Sequence, residues 1–297
     1  MRILFLLLCA SVLRAQQLPH RSPTLGLDFL YNPAMTAPGD YLEFGAAGRF
    51  QWTGFDDAPD WFVAQFQAGI PDQRFSGGGA LQWERNGPVE YRAATLTTAY
   101  RLPVGRFAQL SVGLLGGVDQ TRLNGTRFLP ADAQDPLLLT SSAQTTSVNL
   151  GAGAYFLSDD DILENWGRGF FAGVGVRQVF TSDRDISLTN ALHANAVVGA
   201  AGELGDVFGT VSLWVDYATP SQFYTTLAGR ITLSEVFWTG ISVGQDGSFG
   251  LELGYLFDRL GDGQLHLGGR AYAAASNDRW NLFGPSVEVV VQYRFFY

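Results

Sequence analysis

His193 and Asn195 lie two residues apart, so on a strand they share one face, where a nearby serine would complete a hydrolytic Ser–His–Asn set. No serine can be assigned beside them from the sequence, and a hydrogen-bonded histidine is the simpler role. Asp159–Asp160–Asp161 gathers three carboxylates but lacks the spaced ligands and central glycine of a calcium loop, so it reads as a solvated acidic turn. Gly77–Gly78–Gly79 lacks the strand-to-helix setting of a phosphate cradle and reads as a flexible strand start. With one cysteine, Cys9, and 3 His, the chain holds no ligand set for zinc and no disulfide framework. No nucleophile elbow, H-E-x-x-H, phosphate loop or C-x-x-C occurs. The expectation is a protein that is not an enzyme and uses no cofactor or metal.

The elements that position these side chains belong to a chain of 297 residues, 46% hydrophobic and 13% aromatic, with 36 Gly. That apolar content excludes disorder. All 19 basic residues are Arg, and the net charge of -9 argues against a nucleic-acid partner, which needs a basic face. Residues 1–15 read as an export signal: Arg2 is the positive start, Ile3–Ala10 the apolar core, and Ala15 the last residue before cleavage. Beyond them no apolar run approaches the roughly 18 residues of a membrane helix. A closed barrel crosses a bilayer without such a run, because its strands alternate apolar and polar residues.

That alternation is present. In 285–297, Val287, Val289, Val291, Tyr293, Phe295 and Tyr297 share one parity, with Glu288, Gln292 and Arg294 on the other. Phe249, Leu251, Leu253, Tyr255 and Phe257 repeat it against Glu252, and Leu42, Phe44, Ala46 and Phe50 against Glu43 and Arg49. About fourteen strands follow: near 41–52, 61–70, 77–85, 89–102, 107–122, 145–157, 169–180, 191–204, 206–218, 222–234, 236–246, 248–259, 264–275 and 285–297. A soluble sandwich alternates too, but its polar face meets water and carries frequent charge. Here that face is mostly small and weakly polar, which favours an all-β transmembrane antiparallel barrel at 41–297. An even strand number puts both ends of the wall on one side, the periplasmic one for an exported chain. Connections on that side are mostly short, with 158–168 the longer exception. Those on the other side, 53–60, 123–144, 181–190 and 276–284, are mostly longer. The 123–144 loop, with Leu137–Leu138–Leu139, is either a lid on the mouth or a partner-docking loop.

The inner parity carries both signs of charge: Glu43, Arg49, Glu84, Arg177, Asp216, Glu252, Arg270, Glu288 and Arg294. Charges inside a membrane barrel must be hydrated or paired, so mixed signs fit a salt-bridged or plugged interior better than an ion-selective pore. Residues 16–40, with Pro19, Pro23, Pro33 and Pro38, precede the first strand and cannot be wall. They either fold into the lumen as a plug or lie across the periplasmic mouth.

Two motifs carry a resemblance. Asn32–Pro33–Ala34 follows Tyr31, and Arg49 and Gln51 precede Trp52, Gly54, Phe55, Ala58 and Pro59, with Asp57 where a glycine is usual. Leu110–Gly113, Gly117–Gln120, Asp135–Pro136 and Asn149–Tyr155 follow in order. The ordered set resembles the PorP/SprF family, outer-membrane proteins of the type IX secretion system of Bacteroidetes-type bacteria. The resemblance implies a fourteen-strand barrel similar to the long-chain fatty-acid transporter type. It also implies a non-enzymatic role in exporting or anchoring surface proteins, such as gliding adhesins or cargo with a C-terminal sorting domain. The partners it implies are outer-membrane lipid, the periplasmic ring and peptidoglycan-linked lipoproteins. The competing expectation is a passive porin or hydrophobic-solute channel.

Overall fold

The computed structural model describes residues 26–53, 57–71, 73–124, 142–159, 162, 167–179, 192–218, 222–274 and 285–297. The leader, Gly54, Phe55, Asp160 and Asp161 lie outside these residues, as does most of the 123–144, 181–190 and 276–284 connections.

Fourteen antiparallel strands close into one barrel: β1 (Tyr41–Phe50), β2 (Asp60–Gly69), β3 (Phe75–Asn86), β4 (Val89–Val104), β5 (Ala108–Asn124), β6 (Ser142–Leu157), β7 (Gly169–Arg177), β8 (His193–Leu204), β9 (Val207–Ala218), β10 (Gln222–Leu233), β11 (Phe237–Gly244), β12 (Ser248–Leu260), β13 (Gly263–Ala274) and β14 (Ser286–Phe296). Each strand pairs with its chain neighbours, and β1 closes on β14 from Tyr41↔Phe296 to Phe50↔Val287. Closure removes the exposed sheet edge that a bilayer does not tolerate. No helix among the described residues is long and apolar enough to cross a membrane.

All fourteen strands fall where the period-two pattern put them. Two end earlier. Trp52 (φ 49°) and Gln178 (φ 57°) adopt left-handed backbone, which turns the chain off the ladder, so β1 stops at Phe50 and β7 at Arg177. The near rim, where β1 starts and β14 ends, has turns as tight as the pair Gly205–Asp206, where Gly205 takes φ 68°. The far rim carries most of the long connections, and 158–168 is the long one of the near rim.

The outer face is apolar. Leu81, Leu96 and Leu114 are about two-thirds exposed, which marks a wall meant for hydrocarbon rather than water. Aromatic pairs flank this band at both rims, as the amphipathic rings of a bilayer interface do. Phe156–Phe170, Tyr255–Phe257 and Tyr293–Phe295 stand at the near rim. Phe50–Phe62, Phe62–Trp83 and Tyr217–Phe223 stand at the far rim.

The core lies inside the barrel and is not made of wall alone. Leu27, Phe29 and Leu30, from the segment before β1, pack on Ala47, Trp61, Val63, Ala80 and Val290. Ala34 packs with Tyr155, Leu157, Phe171, Val197 and Trp214. Ile162, in the long near-rim connection, is buried on Ala201 and Phe208.

Candidate functional site

The functional residues gather in the lumen, in two arrangements: a charged row on the wall and a segment seated beside it. The row follows from register. Glu252 of β12 is directly opposite Arg270 of β13, Arg270 opposite Glu288 of β14, and Glu288 opposite Arg49 of β1. Arg49 in turn faces Trp61 of β2, Trp61 faces Glu84 of β3, and Glu84 faces Tyr91 of β4. Cross-strand neighbours on one face interact, so alternating sign along the row is attractive at each charged step. Arg49 Nε donates to Glu288 Oε2 at 3.1 Å, and Tyr272 donates to the same oxygen at 3.3 Å. Arg270 also donates to the Ser242 hydroxyl. Glu252 is claimed from the other side by Arg230, through Nε at 3.0 Å and through Nη2, and by Trp238 Nε1 at 3.1 Å.

Nearer the start of β1, Glu43 forms a hub. Arg294 gives its Oε2 two hydrogen bonds, 3.1 and 2.7 Å, while Gln65, Gln67 and Gln292 donate to Oε1. Glu43, Glu252 and Glu288 are almost fully buried, so these bonds replace the water they lost. The arginines also lie over rings: Arg294 on Tyr41, Arg49 on Trp61, Arg230 on Trp238, Arg270 on Tyr272 and Arg177 on Tyr31. A planar guanidinium bonds in its plane and stacks on its face, which an ammonium cannot do.

The seated segment is residues 26–40. Asn32 is fully buried; its Oδ1 accepts from the Ala34 N–H at 3.0 Å, capping the second of two short 3-10 turns, Pro33–Met35, which follows Asp28–Leu30. Its Nδ2 donates to the Ala154 carbonyl of β6 at 3.1 Å. Arg177 Nη1 donates to the Leu30 carbonyl and Asn195 Nδ2 to the Tyr31 carbonyl, each at 2.8 Å. Thr36 bonds Thr97, Ser76 donates to the Thr36 carbonyl, and Gln67 accepts from the Ala37 N–H. Arg101 holds Pro38 and Asp40 at the near rim.

The wall makes room for this segment with glycine. A Cβ on Gly153 would lie 2.0 Å from Asn32 Oδ1, one on Gly113 2.3 Å from the Ala34 nitrogen, and one on Gly175 2.8 Å from the Tyr31 carbonyl. Inward glycines on β5, β6 and β7 thus form the seat.

A model of the type IX secretion system membrane protein PorP/SprF matches residues 13–293. The chain belongs to that family. No curated protein matches it in sequence. Among solved structures, the Pseudomonas putida toluene transporter TodX aligns at 9% identity over 92% of this chain and 94% of its own, with a TM-score of 0.56. A Pseudomonas aeruginosa FadL homologue aligns at 11% identity over 89% and 92%, TM-score 0.52. The CymD monoaromatic hydrocarbon channel gives 10% over 92% and 93%, TM-score 0.52. These likenesses show a shared FadL-type barrel. Family and fold together place the protein in the outer membrane, in the type IX secretion machinery, and point to secretion or transport rather than to a known enzyme class.

The motif residues of this PorP/SprF chain fall in three places. Asn32, Pro33 and Ala34 form the seated turn. Arg49 stands in the charged row. Gln51, Trp52, Ala58 and Pro59 make a far-rim hairpin tip, in which the Gln51 N–H bonds the Pro59 carbonyl at 2.9 Å. The Trp52 N–H bonds Ser286 Oγ at 3.3 Å, tying the tip to β14. Asp57 takes φ 57° there, a conformation that explains the usual glycine of the pattern. Of the remaining sequence candidates, Glu84 continues the row beyond Trp61, Arg177 holds the seated segment from β7, and Asp216 faces Asn195 and Tyr224. His193 stands opposite Arg177 and Ala218, while its neighbour Asn195 is engaged by the seated segment through the Tyr31 carbonyl. Among the described residues no group of three His, Cys, Asp or Glu is placed to hold a metal. Arg230, Arg101, Gln65 and Gln67 also turn inward, on strands whose parity no charge had marked in the sequence.

Proposed function

We propose that this protein is a non-enzymatic scaffold of the type IX secretion system, supporting export or surface anchoring of cargo or gliding adhesins. The observation that carries the reading is a lumen occupied by residues 26–40 in a chain of the PorP/SprF family. A barrel whose interior is bonded to its own chain is suited to binding at its rims. The far-rim connections 53–60 and 123–144 would meet cargo. The near-rim turns, facing the periplasm, would meet the periplasmic ring and peptidoglycan-linked lipoproteins. The test is gene deletion in the native host, scored by surface and medium content of proteins carrying a C-terminal sorting domain. Loss of their export, restored by the intact gene, supports the scaffold. Unchanged export rejects it.

The FadL-type barrel favours a second reading, a passive channel for hydrophobic solutes. That reading requires solute uptake by liposomes holding the purified protein, independent of any secretion component.

A further inference from the structure

Basic side chains are not evenly spread over the outer face. Arg85 of β3, Glu90 of β4 and Arg122 of β5 stand directly opposite one another, and in the next outward row Trp83, Arg92 and Gln120 do the same. Parity puts all six on the face that carries Leu81, Leu96 and Leu114. Among the described residues no other outward position of the far rim carries a basic side chain; the corresponding places hold residues such as Phe223, Val243, Phe249 and Val287. In a chain of net charge -9, three arginines on three adjacent strands are a local reversal of sign.

The carboxylates of the patch do not cancel it. Asp60 pairs with Arg85. Glu90 accepts from Arg92 through Nε at 3.2 Å and Nη2 at 2.7 Å, and from Trp83 Nε1 at 2.8 Å. Arg92 is thus held from one side, yet its side chain is 60% exposed and its Nη1 takes no part in these bonds. Arg122 is exposed, within electrostatic reach of Glu90, and makes no hydrogen bond or ion pair among the described residues. Height selects what meets these donors. Trp83 stacks with Phe62 in the far-rim aromatic girdle. Arg92 is level with Trp83, and Arg85 and Arg122 lie one i to i+2 repeat beyond it, about 7 Å along the strand, where bilayer head groups begin. The far-rim leaflet of an outer membrane is built of lipopolysaccharide, whose lipid A carries phosphates at that depth. A guanidinium binds phosphate through two parallel N–H groups.

We propose that the outward face of β3–β5 is a binding site for the phosphorylated head group of one lipid A molecule in the outer leaflet. Arg92 and Arg122 are its direct phosphate ligands. Glu90 and Trp83 position Arg92, and Asp60 positions Arg85 beside them. A lipid held there gives the wall one preferred neighbour on one side, where the rest of the far rim offers only apolar contact. The site requires the outer-membrane orientation alone, so it stands whether the barrel is a scaffold or a channel.

The full mature protein, in nanodiscs of phosphatidylethanolamine doped with lipid A, is weighed by native mass spectrometry. Lipid A should stay bound, and lipid A stripped of its phosphates, with the same acyl chains, should not. Arg122→Gln should weaken retention about tenfold, the factor of one lost charge-assisted hydrogen bond. Arg92→Gln with Arg122→Gln should erase the difference between the two lipids. Arg122 makes no bond within the wall, so its single change keeps the test open should the double change prevent folding. Arg106→Gln at the near rim should leave retention unchanged. Equal retention of both lipids, or a preference untouched by Arg122→Gln, overturns the site. In intact cells a photoreactive group on Gln120→Cys should link to lipopolysaccharide. Links chiefly to protein would overturn the site and assign the patch to a protein partner.

Discussion

Arg49 and Glu288 face one another across the seam that closes the barrel, 3.1 Å apart, with side chains 3% and 0% exposed. They join the first strand to the last across 239 residues of sequence. Removing one partner strands the other charge away from water. Glu288→Leu alone should therefore cost about 3–5 kcal/mol. The pair Arg49→Met with Glu288→Leu should cost less, because neither member of the seam pair is then left buried facing a missing partner. The temperature at which the folded barrel loses its fast gel migration reads both. Equal losses in the single and the paired variant would remove the seam pair as the cause.

Gly153 should separate seating from folding. A side chain there collides with Asn32, whereas outward Gly116 has only Leu150 within reach, at 3.9 Å. Gly153→Val is expected to leave a folded barrel whose residues 26–40 exchange amide hydrogens at least tenfold faster than in the parent. Gly116→Val should leave that exchange unchanged. Slow exchange in both variants would mean that the segment is held without this glycine seat.

Arginine is the only basic residue in the chain, and Arg230 shows why lysine does not substitute for it inside. Its guanidinium bonds Glu252 through two nitrogens while lying 5.4 Å from the Trp238 ring centre. Arg230→Lys keeps the charge but loses the second bond and the stacking, a loss of about 1–3 kcal/mol. Urea unfolding from liposomes measures it, and a midpoint equal to that of the parent would refute the argument.

What the sequence made legible follows from a period of two. Parity alone assigns Glu43, Arg49, Glu252, Glu288 and Arg294 to one face of their strands, because successive side chains of a strand point opposite ways. Parity says nothing of who stands opposite, so the row Glu252–Arg270–Glu288–Arg49 emerged only with the register of four strands, one of them at the far end of the chain. The glycines show the same limit. Gly113 and Gly153 belong to an inner face that is small, and what fills the space beside them is not another wall residue but Asn32–Pro33–Ala34, more than seventy positions earlier. The clue was present in the clustering of inward glycines on β5–β7, but a segment without periodicity gives no pattern to match against it.

Residues 26–40 and the wall divide two tasks, and removing the first should expose the second. The ladder from Tyr41↔Phe296 to Phe50↔Val287 closes the cylinder without using any residue of the segment. The segment itself buries Leu27, Phe29 and Leu30 on Trp61, Val63 and Val290, and bonds β2, β3, β4, β6, β7 and β8 through side chains. A mature chain lacking residues 16–40 should still fold in detergent, less stably, because the inner apolar patch then meets water. In planar bilayers the full chain should pass no steady current, and the shortened one should show discrete openings. Steady conduction by the full chain would make the lumen a pathway despite its bonded segment, and would favour the channel reading over the scaffold. Silence in both would place the seal elsewhere, in the buried pairs of Glu43, Glu252 and Glu288 or in the long connections above them.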